Sequence, residues 1–151
     1  MRKTTLRVNE LNLAGSVADG PGIRAVVFLQ GCNRHCPGCH NKATWALNGG
    51  NTITVDEVVE RIIASHIDRV TISGGEPLLQ VNGVVSLVRQ LKAKGIDDIA
   101  LYTGFQEKDV PQAILECIRG SWLKTGEFRI GEKTTTKPFV GSLNQVFRRV
   151  A

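Results

Sequence analysis

The sequence contains no apolar run long enough to cross a bilayer, and no apolar segment follows its basic first residues, Met1 to Leu6. We therefore expect a cytoplasmic protein with no membrane contact. The chain also lacks internal repeats and any basic run as long as a nucleic-acid-binding tail. Its net charge of +5 is therefore interpreted as a solvated surface, with no nucleic-acid partner. A length of 151 residues with 42% hydrophobic residues predicts a single domain, residues 1–151.

Cysteine is scarce, but three of the four cysteines share one short loop. Cys32, Cys36 and Cys39 have the spacing Cys-x3-Cys-x2-Cys. In a cytoplasmic protein such a cluster indicates metal or redox chemistry rather than disulfides. Thiolates select zinc or an iron–sulfur cluster, and both normally take four protein ligands. Three thiolates leave one coordination position open, where chemistry can occur.

The sequence offers no straightforward fourth ligand. His35 and His40 each adjoin a cysteine, which makes it awkward to turn both side chains onto one ion, and His66 lies beyond a predicted helix. Cys117 falls on the inward face of another predicted helix, where a free cysteine packs as a small hydrophobe. Zinc bound by the cysteines and a histidine is the alternative to an iron–sulfur cluster. His40 is equally compatible with contacting a nucleoside and with a solvated loop position.

Strand patterns recur along the chain. The branched, apolar run Ile23 to Gln30 predicts a strand buried on both faces, and the cysteine loop follows directly. Residues 4–14 predict an edge strand or hairpin, and residues 48–51 a polar loop. Short strands are predicted at 70–73 and 99–102 and from 122 onward. The tail, 139–150, predicts a last strand or a packed terminal segment.

Helix patterns alternate with these strands. Thr54-x-x-Glu57 predicts a capping box, and the helix after it has one apolar face, formed by Val55, Val58, Val59, Ile62 and Ile63. A second helix is predicted from Val81 to Leu91, ended by Gly95, and a third over about 109–118. Alternating strands and helices favour parallel βαβ units whose strands end at one rim. A complete barrel of eight units needs about 250 residues, so we expect an α/β fold that forms a partial, open (β/α) barrel.

A second motif falls on the same predicted rim. Gly74-Gly75-Glu76-Pro77 follows the strand at 70–73. Glycines allow a ligand to approach the backbone closely, and Glu76 offers a carboxylate to a cationic amine. A small molecule with an amine and a carboxylate can bridge this loop and the open iron.

Together these motifs resemble the radical S-adenosylmethionine superfamily. Within it, the chain resembles the activating proteins of anaerobic ribonucleotide reductases, and the similarity spans nearly the whole sequence. The stretches that carry this resemblance are Asp19-Gly20-Pro21-Gly22-Ile23-Arg24, Gly31-Cys32, Cys36-Pro37-Gly38-Cys39-His40-Asn41-Lys42-x-Thr44-Trp45, Tyr102-Thr103-Gly104-Phe105 and Gly141-Ser142-x-Asn144-Gln145. The family usually carries Asp-Gly where this chain has Thr125-Gly126, and often Tyr where this chain has His40.

The resemblance implies a mechanism and its cofactors. Cys32, Cys36 and Cys39 would hold three irons of one [4Fe–4S] cluster, and S-adenosyl-L-methionine would chelate the fourth. Gly74, Gly75 and Glu76 would bind the methionine end, with Gly38 and His40 beside the adenosine. No further catalytic residue is implied. A low-potential cluster would cleave the sulfonium, and the 5′-deoxyadenosyl radical would remove hydrogen from a glycine of the partner protein.

The resemblance also implies partners. These are the large subunit of an anaerobic ribonucleotide reductase, as protein substrate, and a flavodoxin-like or ferredoxin-like electron donor. Because a short barrel lacks strands to seal its side, we expect an open gap that admits a loop of the substrate. A gap filled by the chain's own tail would count against this. The alternatives are an activating enzyme of the pyruvate formate-lyase type, a small-substrate synthase of the 7-carboxy-7-deazaguanine type, and a non-catalytic metal-binding module.

Overall fold

The fold is a mixed seven-stranded sheet with three α-helices. A computed structural model describes residues 3–33, 36, 37, 39 and 42–151. The strands are β1 (Thr5–Ser16), β2 (Arg24–Leu29), β3 (Asn51–Thr54), β4 (Arg69–Gly74), β5 (Asp98–Tyr102), β6 (Trp122–Thr125) and β7 (Val146–Arg149). The helices are α1 (Val55–Ala64), α2 (Val81–Ala93) and α3 (Gln112–Cys117). Across the described residues, no helix is both long and apolar enough to span a bilayer.

The sheet has the order β3-β1-β2-β4-β5-β6-β7 and does not close on itself. Its centre is four parallel strands, β2, β4, β5 and β6, and antiparallel strands pair on both sides. One row of buried side chains crosses the parallel strands in register: Val27, Ile72, Leu101 and Leu123. The α/β class and the partial, open barrel predicted from the sequence are confirmed.

Strand alternation divides the sheet into two unlike faces. The row that contains Ile72 packs with the helices in the main hydrophobic core. The neighbouring positions point to the other face, and they include the polar residues Arg24, Thr71, Ser73 and Lys124. The sheet therefore has an apolar, helix-covered face and a second face that also carries polar side chains.

The helices follow the predicted patterns with local differences. Thr54 caps α1 by accepting a hydrogen bond from the Glu57 backbone N–H at 3.1 Å, as the capping box predicts. Ile63, predicted on the apolar face of α1, is 40% exposed. The third helix is shorter than predicted, because a separate 3-10 turn, Glu107–Asp109, and Pro111 precede it. Pro111 has no N–H and fits only at a helix start.

Two strand predictions were incomplete. Strand β1 is not an edge strand, because β3 pairs with its outer side through residues such as Leu6 opposite Ile53. The edge strand β3 begins at Asn51, within the segment predicted as a polar loop. The tail does return as a strand, β7, which pairs antiparallel with β6.

Arg24 ties three parallel strands together and is completely buried. Its guanidinium donates to Thr71 Oγ1 at 2.8 Å and to the carbonyls of Pro21, Val70 and Asp98 at 2.8 to 3.1 Å. It also lies 2.9 Å from the carboxylate of Asp98. The arginine of the Asp-Gly-Pro-Gly-Ile-Arg motif is therefore a structural residue at the start of β2.

We expect Arg24→Met to lower the free energy of unfolding by about 3–5 kcal/mol, because it leaves buried carbonyls without donors and removes the buried cation beside the Asp98 carboxylate. Urea denaturation measures this change. Arg69→Met is the matched control, since Arg69 also contacts Asp98 but is largely exposed. Its loss is expected to cost less than about 1 kcal/mol. Equal effects of the two variants would contradict the structural role of Arg24.

Candidate iron–sulfur and cofactor site

A cavity opens at the C-terminal rim of the parallel strands. Its walls are the loops that follow β2, β4 and β5, together with part of the long segment between β6 and β7. Parallel α/β sheets bind ligands at this edge because the loops that converge there vary without disturbing the sheet. The cysteine loop and the Gly-Gly-Glu loop, which the sequence predicted on one rim, both line this cavity, together with Thr103 and Gly104.

The structure brings Cys32, Cys36 and Cys39 to the same cavity wall. The base of their loop is closed by two backbone hydrogen bonds, from Gly31 to Thr44 at 2.6 Å and from Cys32 to Trp45 at 3.1 Å. Burial raises the pKa of the Cys36 thiol, and the nearby Cys32 and Cys39 thiols add to this, against a backbone hydrogen bond from Phe128. The Cys36 thiol therefore lies near both Cys32 and Cys39.

The arrangement of the three thiols is compatible with an iron–sulfur cluster. Within the described part of the chain, no three Cys, His, Asp or Glu side chains converge on one ion position. Each cysteine ligand of a cubane binds a separate iron, so its ligands do not need to converge on one point. Three thiols around one partly buried cavity, with a carboxylate on the opposite loop, fit a [4Fe–4S] cluster that keeps one iron for another ligand.

The other residues considered as ligands either lie outside the described residues or lie away from the cavity. Gly38, His40 and His35 lie outside the described residues. His66 follows α1 and precedes β4, so it belongs to the opposite edge of the sheet from the rim. Cys117 is in the hydrophobic core, where its thiol donates to the Ile114 carbonyl at 3.2 Å. Its predicted role as a packing residue is confirmed.

The two glycines at the C-terminal end of β4, Gly74 and Gly75, are explained by backbone packing. A Cβ on Gly74 would lie 2.3 Å from the Leu29 carbonyl oxygen, and a Cβ on Gly75 would lie 2.3 Å from the Gly31 carbonyl oxygen. Gly74 also has a φ of 128°, which L-residues rarely adopt. The Gly-Gly pair thus allows the loop after β4 to pack against the start of the cysteine loop. Sequence reasoning had attributed both glycines to the approach of a ligand.

Glu76 joins two rim loops and is almost fully buried. Its carboxylate accepts hydrogen bonds from the Leu78 N–H at 3.0 Å, the Thr103 hydroxyl at 2.6 Å and the Gly104 N–H at 2.7 Å. Its own N–H donates to the Gly31 carbonyl at 2.8 Å. The residue therefore fixes the loops after β4 and β5 relative to the cysteine loop. A role in binding a ligand amine stays a prediction.

The segment 126–145 forms a wall that sequence reasoning missed. Phe128, Gly141 and Gln145 line the cavity beside the cysteines. The segment folds back on itself through a bridge between Lys133 and Ser142. Part of the side expected to be open is therefore covered by the chain itself, although the sheet remains open. The Gly-Ser-x-Asn-Gln motif was the one sequence feature that pointed to this segment. The spacing of the motif does not indicate where in the fold the segment packs.

Gln145 is the centre of this segment's hydrogen bonds. Its side-chain oxygen accepts from the N–H groups of Gly141 and Ser142 at 2.7 and 3.3 Å, and its amide donates to the Gly126 carbonyl at 2.9 Å. The neighbouring Asn144 amide donates to the Glu127 carbonyl at 2.9 Å. The motif therefore fastens both ends of the segment beside the cavity.

We expect Gln145→Ala to destabilise the protein by about 2 kcal/mol, because it leaves buried backbone groups without partners. Limited proteolysis is expected to cut within 126–145 about tenfold faster, since this segment opens more often. Gln112→Ala is the control, because Gln112 is exposed and contacts only Glu116 among the partners described. Unchanged cleavage in Gln145→Ala would show that the segment is held by other contacts.

Lys124 is a second residue that sequence reasoning missed. It lies next to the Thr125-Gly126 pair, on β6, and lines the same cavity as the cysteines. A lysine directly after Trp122-Leu123, the predicted start of a strand, was the available signal. Charged side chains are rare inside short strands of a parallel sheet.

Comparison with known proteins gives a family match over most of the chain. The sequence model of the family described as "4Fe-4S single cluster domain" matches residues 18–148. In the solved structure of QueE from Escherichia coli, a chain with 20% sequence identity superposes with a TM-score of 0.60. This match covers 79% of this chain and 58% of that one, and it shows the fold.

Two groups of curated relatives are similar in sequence. An anaerobic ribonucleoside-triphosphate reductase-activating protein from Salmonella typhi is 34% identical over 140 residues, covering 86% of this chain and 90% of that protein. The protein of the same name from Vibrio cholerae is 35% identical over 145 residues, covering 88% and 92%. A pyruvate formate-lyase-activating enzyme from Clostridium pasteurianum is 41% identical over 96 residues. The match covers 60% of this chain and 40% of that enzyme, so this chain spans less than half of its length.

Proposed function

We propose a function from the premise that this chain belongs to the 4Fe-4S single cluster domain family and, within it, to the anaerobic ribonucleoside-triphosphate reductase-activating proteins. The chain is an oxidoreductase of the radical S-adenosylmethionine type, with one [4Fe–4S] cluster and S-adenosyl-L-methionine as cofactors. It generates a glycyl radical on a partner enzyme. The partner proposed is the large subunit of an anaerobic ribonucleoside-triphosphate reductase, with residues 1–151 acting as one domain.

The observation that carries the proposal is the shared cavity of three thiols and the Gly-Gly-Glu loop, in a chain that aligns with nine tenths of the Salmonella relative. Cys32, Cys36 and Cys39 are proposed to bind three irons. When bound, the cluster and S-adenosylmethionine supply one-electron cleavage of the sulfonium. A flavodoxin-like or ferredoxin-like protein is proposed as the electron donor.

The protein's own contribution is placement and exclusion of water. Gly74, Gly75 and Glu76 are proposed to bind the methionine end of S-adenosylmethionine, and Gly38 and His40 the adenosine. The hydrogen bonds of Glu76 keep this loop at a fixed position relative to the cysteines. A substrate loop would enter beside the 126–145 segment, which shields part of the cavity from solvent.

The test mixes reduced, oxygen-free protein, S-adenosylmethionine and a candidate anaerobic ribonucleoside-triphosphate reductase, followed by electron paramagnetic resonance. A glycyl radical that depends on all three components is expected. The identity to the Clostridium relative makes pyruvate formate-lyase the second candidate, and it is assayed in parallel. Cofactor cleavage without a radical on either protein would indicate a small-molecule substrate. Zinc without sulfide in anaerobically purified protein would remove the enzyme proposals.

A further inference from the structure

Lys124 places a cation at the cysteine cavity. It sits on β6 directly opposite Tyr102 of β5, and its ammonium lies 4.2 Å from the centre of the Tyr102 ring. The side chain is half-buried and lines the cavity that also contains Cys32, Cys36, Cys39 and Glu76. The charge is therefore held between an aromatic face and the proposed cofactor site.

The ammonium of Lys124 has no anionic partner of its own. Within the described part of the chain, no carboxylate lies within ion-pair distance of it and no protein group accepts a hydrogen bond from it. Burial lowers the pKa of Lys124 to about 8, and the surrounding Asp19, Cys39 and Glu76 oppose this change. Charges inside proteins are normally paired, so an unpaired cation at a cavity indicates a missing negative partner.

Two other cations near this face, Arg24 and Lys137, already have partners. The guanidinium of Arg24 is satisfied by Asp98 and three backbone carbonyls. Lys137 donates to the carbonyls of Leu143 and Gln145 at 3.2 and 2.7 Å. Unlike these two residues, Lys124 has no protein partner within hydrogen-bond or ion-pair distance among the described residues.

Resting on the proposed function, we propose that Lys124 is the countercharge of the reduced cluster and raises its midpoint potential. The cavity gathers three thiolates and the Glu76 carboxylate, so it disfavours any added negative charge. Reduction brings in one electron from the low-potential donor and neither forms nor breaks a bond. A fixed cation stabilises the reduced, more negative state more than the oxidised state, and the low-dielectric surroundings strengthen this effect. In this proposal Lys124 acts on the cluster through its charge alone and is not a catalytic residue.

The test is a potentiometric titration of the iron-loaded protein without S-adenosylmethionine or a partner, monitored by the paramagnetic signal of the reduced cluster. Lys124→Met removes the charge and keeps most of the side-chain volume, and Lys124→Arg keeps the charge. Lys94→Met is the control, because Lys94 is exposed at the C-terminal end of α2. Iron and sulfide contents are matched before comparison.

In Lys124→Met, the ratio of reduced to oxidised cluster at a fixed potential is expected to fall about tenfold, which for one electron is about 60 mV more negative. Lys124→Arg and Lys94→Met are expected to titrate like the wild type. An unchanged midpoint potential in iron-loaded Lys124→Met would overturn the inference. If the affinity for S-adenosylmethionine fell while the potential stayed unchanged, the inference would also be overturned, because Lys124 would then bind S-adenosylmethionine instead of acting on the cluster.

Variants that fail to load iron are also informative. Lys124→Gln provides a second neutral side chain if Lys124→Met binds no cluster. Loss of iron in both neutral variants, with normal loading of Lys124→Arg, would support the need for a positive charge. Loss in all three would indicate a structural role and overturn the inference. Wild-type protein that binds no iron would instead contradict the proposed function itself, which distinguishes the two failures.

Discussion

Cys36→Ala is expected to bind only background iron after anaerobic reconstitution, and its cleavage of S-adenosylmethionine is expected to fall to the detection limit. The reason is the ligand count, because a cluster that uses three thiolates cannot lose one without exposing a second iron. Cys36 lines the cavity, and the nearby Cys32 and Cys39 contribute to the raised pKa of its thiol. Iron and sulfide analysis, with the product 5′-deoxyadenosine measured by chromatography, checks both effects.

Cys117→Ala is the matched control for this experiment. It removes the one cysteine that lies in the hydrophobic core rather than at the cavity. Its cost is expected to be about 1 kcal/mol of stability from lost packing, with normal iron content and activity. A Cys117→Ala variant that folds but binds no iron would overturn the assignment of the cluster to the three loop cysteines.

The second large effect is expected at Glu76. Glu76→Gln is expected to lower the free energy of unfolding by about 2–4 kcal/mol. One carboxylate oxygen accepts from the Gly104 N–H and the other from the Leu78 N–H. Whichever way the glutamine amide is turned, its NH₂ group therefore faces a backbone N–H. Urea denaturation of the iron-free protein measures the change without any contribution from a cofactor.

The same substitution is expected to weaken S-adenosylmethionine binding at least about tenfold in the iron-loaded protein, because the loops after β4 and β5 lose their common anchor. Glu116→Gln is the control, since Glu116 is exposed on α3. It is expected to change neither stability nor affinity. If Glu76→Gln unfolds like the wild type, the buried network does not hold the rim together as the structure indicates.

Local sequence patterns predicted most of the regular structure. The branched apolar run at β2 and the Thr54 capping box identified their elements because burial and capping leave a strong periodic or short-range signal. The pairing of strands was harder to predict. Whether β1 lies at an edge depends on β3, a strand of four residues of which three are polar and two are exposed. Pairing of this kind is a tertiary property.

The candidate site was predictable where the chemistry depends on residue type and spacing. Three cysteines on one loop identify a soft-metal centre before any coordinates are known. The purpose of Gly74 and Gly75 was not predictable, because the carbonyl groups they accommodate belong to Leu29 and Gly31, more than forty positions earlier in the sequence. Lys124 and Gln145 were missed for the same reason, since each reaches the cavity only after the sheet has formed.

The hydrogen bonds from Gly75 to Leu29 and from Glu76 to Gly31 have a dynamic consequence. They extend the pairing of β2 with β4 beyond the sheet, so the sulfur-bearing loop begins as a continuation of that ladder. Local opening of the first turn of this loop therefore breaks bonds to the neighbouring ladder, and we expect the two to exchange their amide protons as one cooperative unit. The start of the cysteine loop, just after β2, is thereby held in place before any iron is bound.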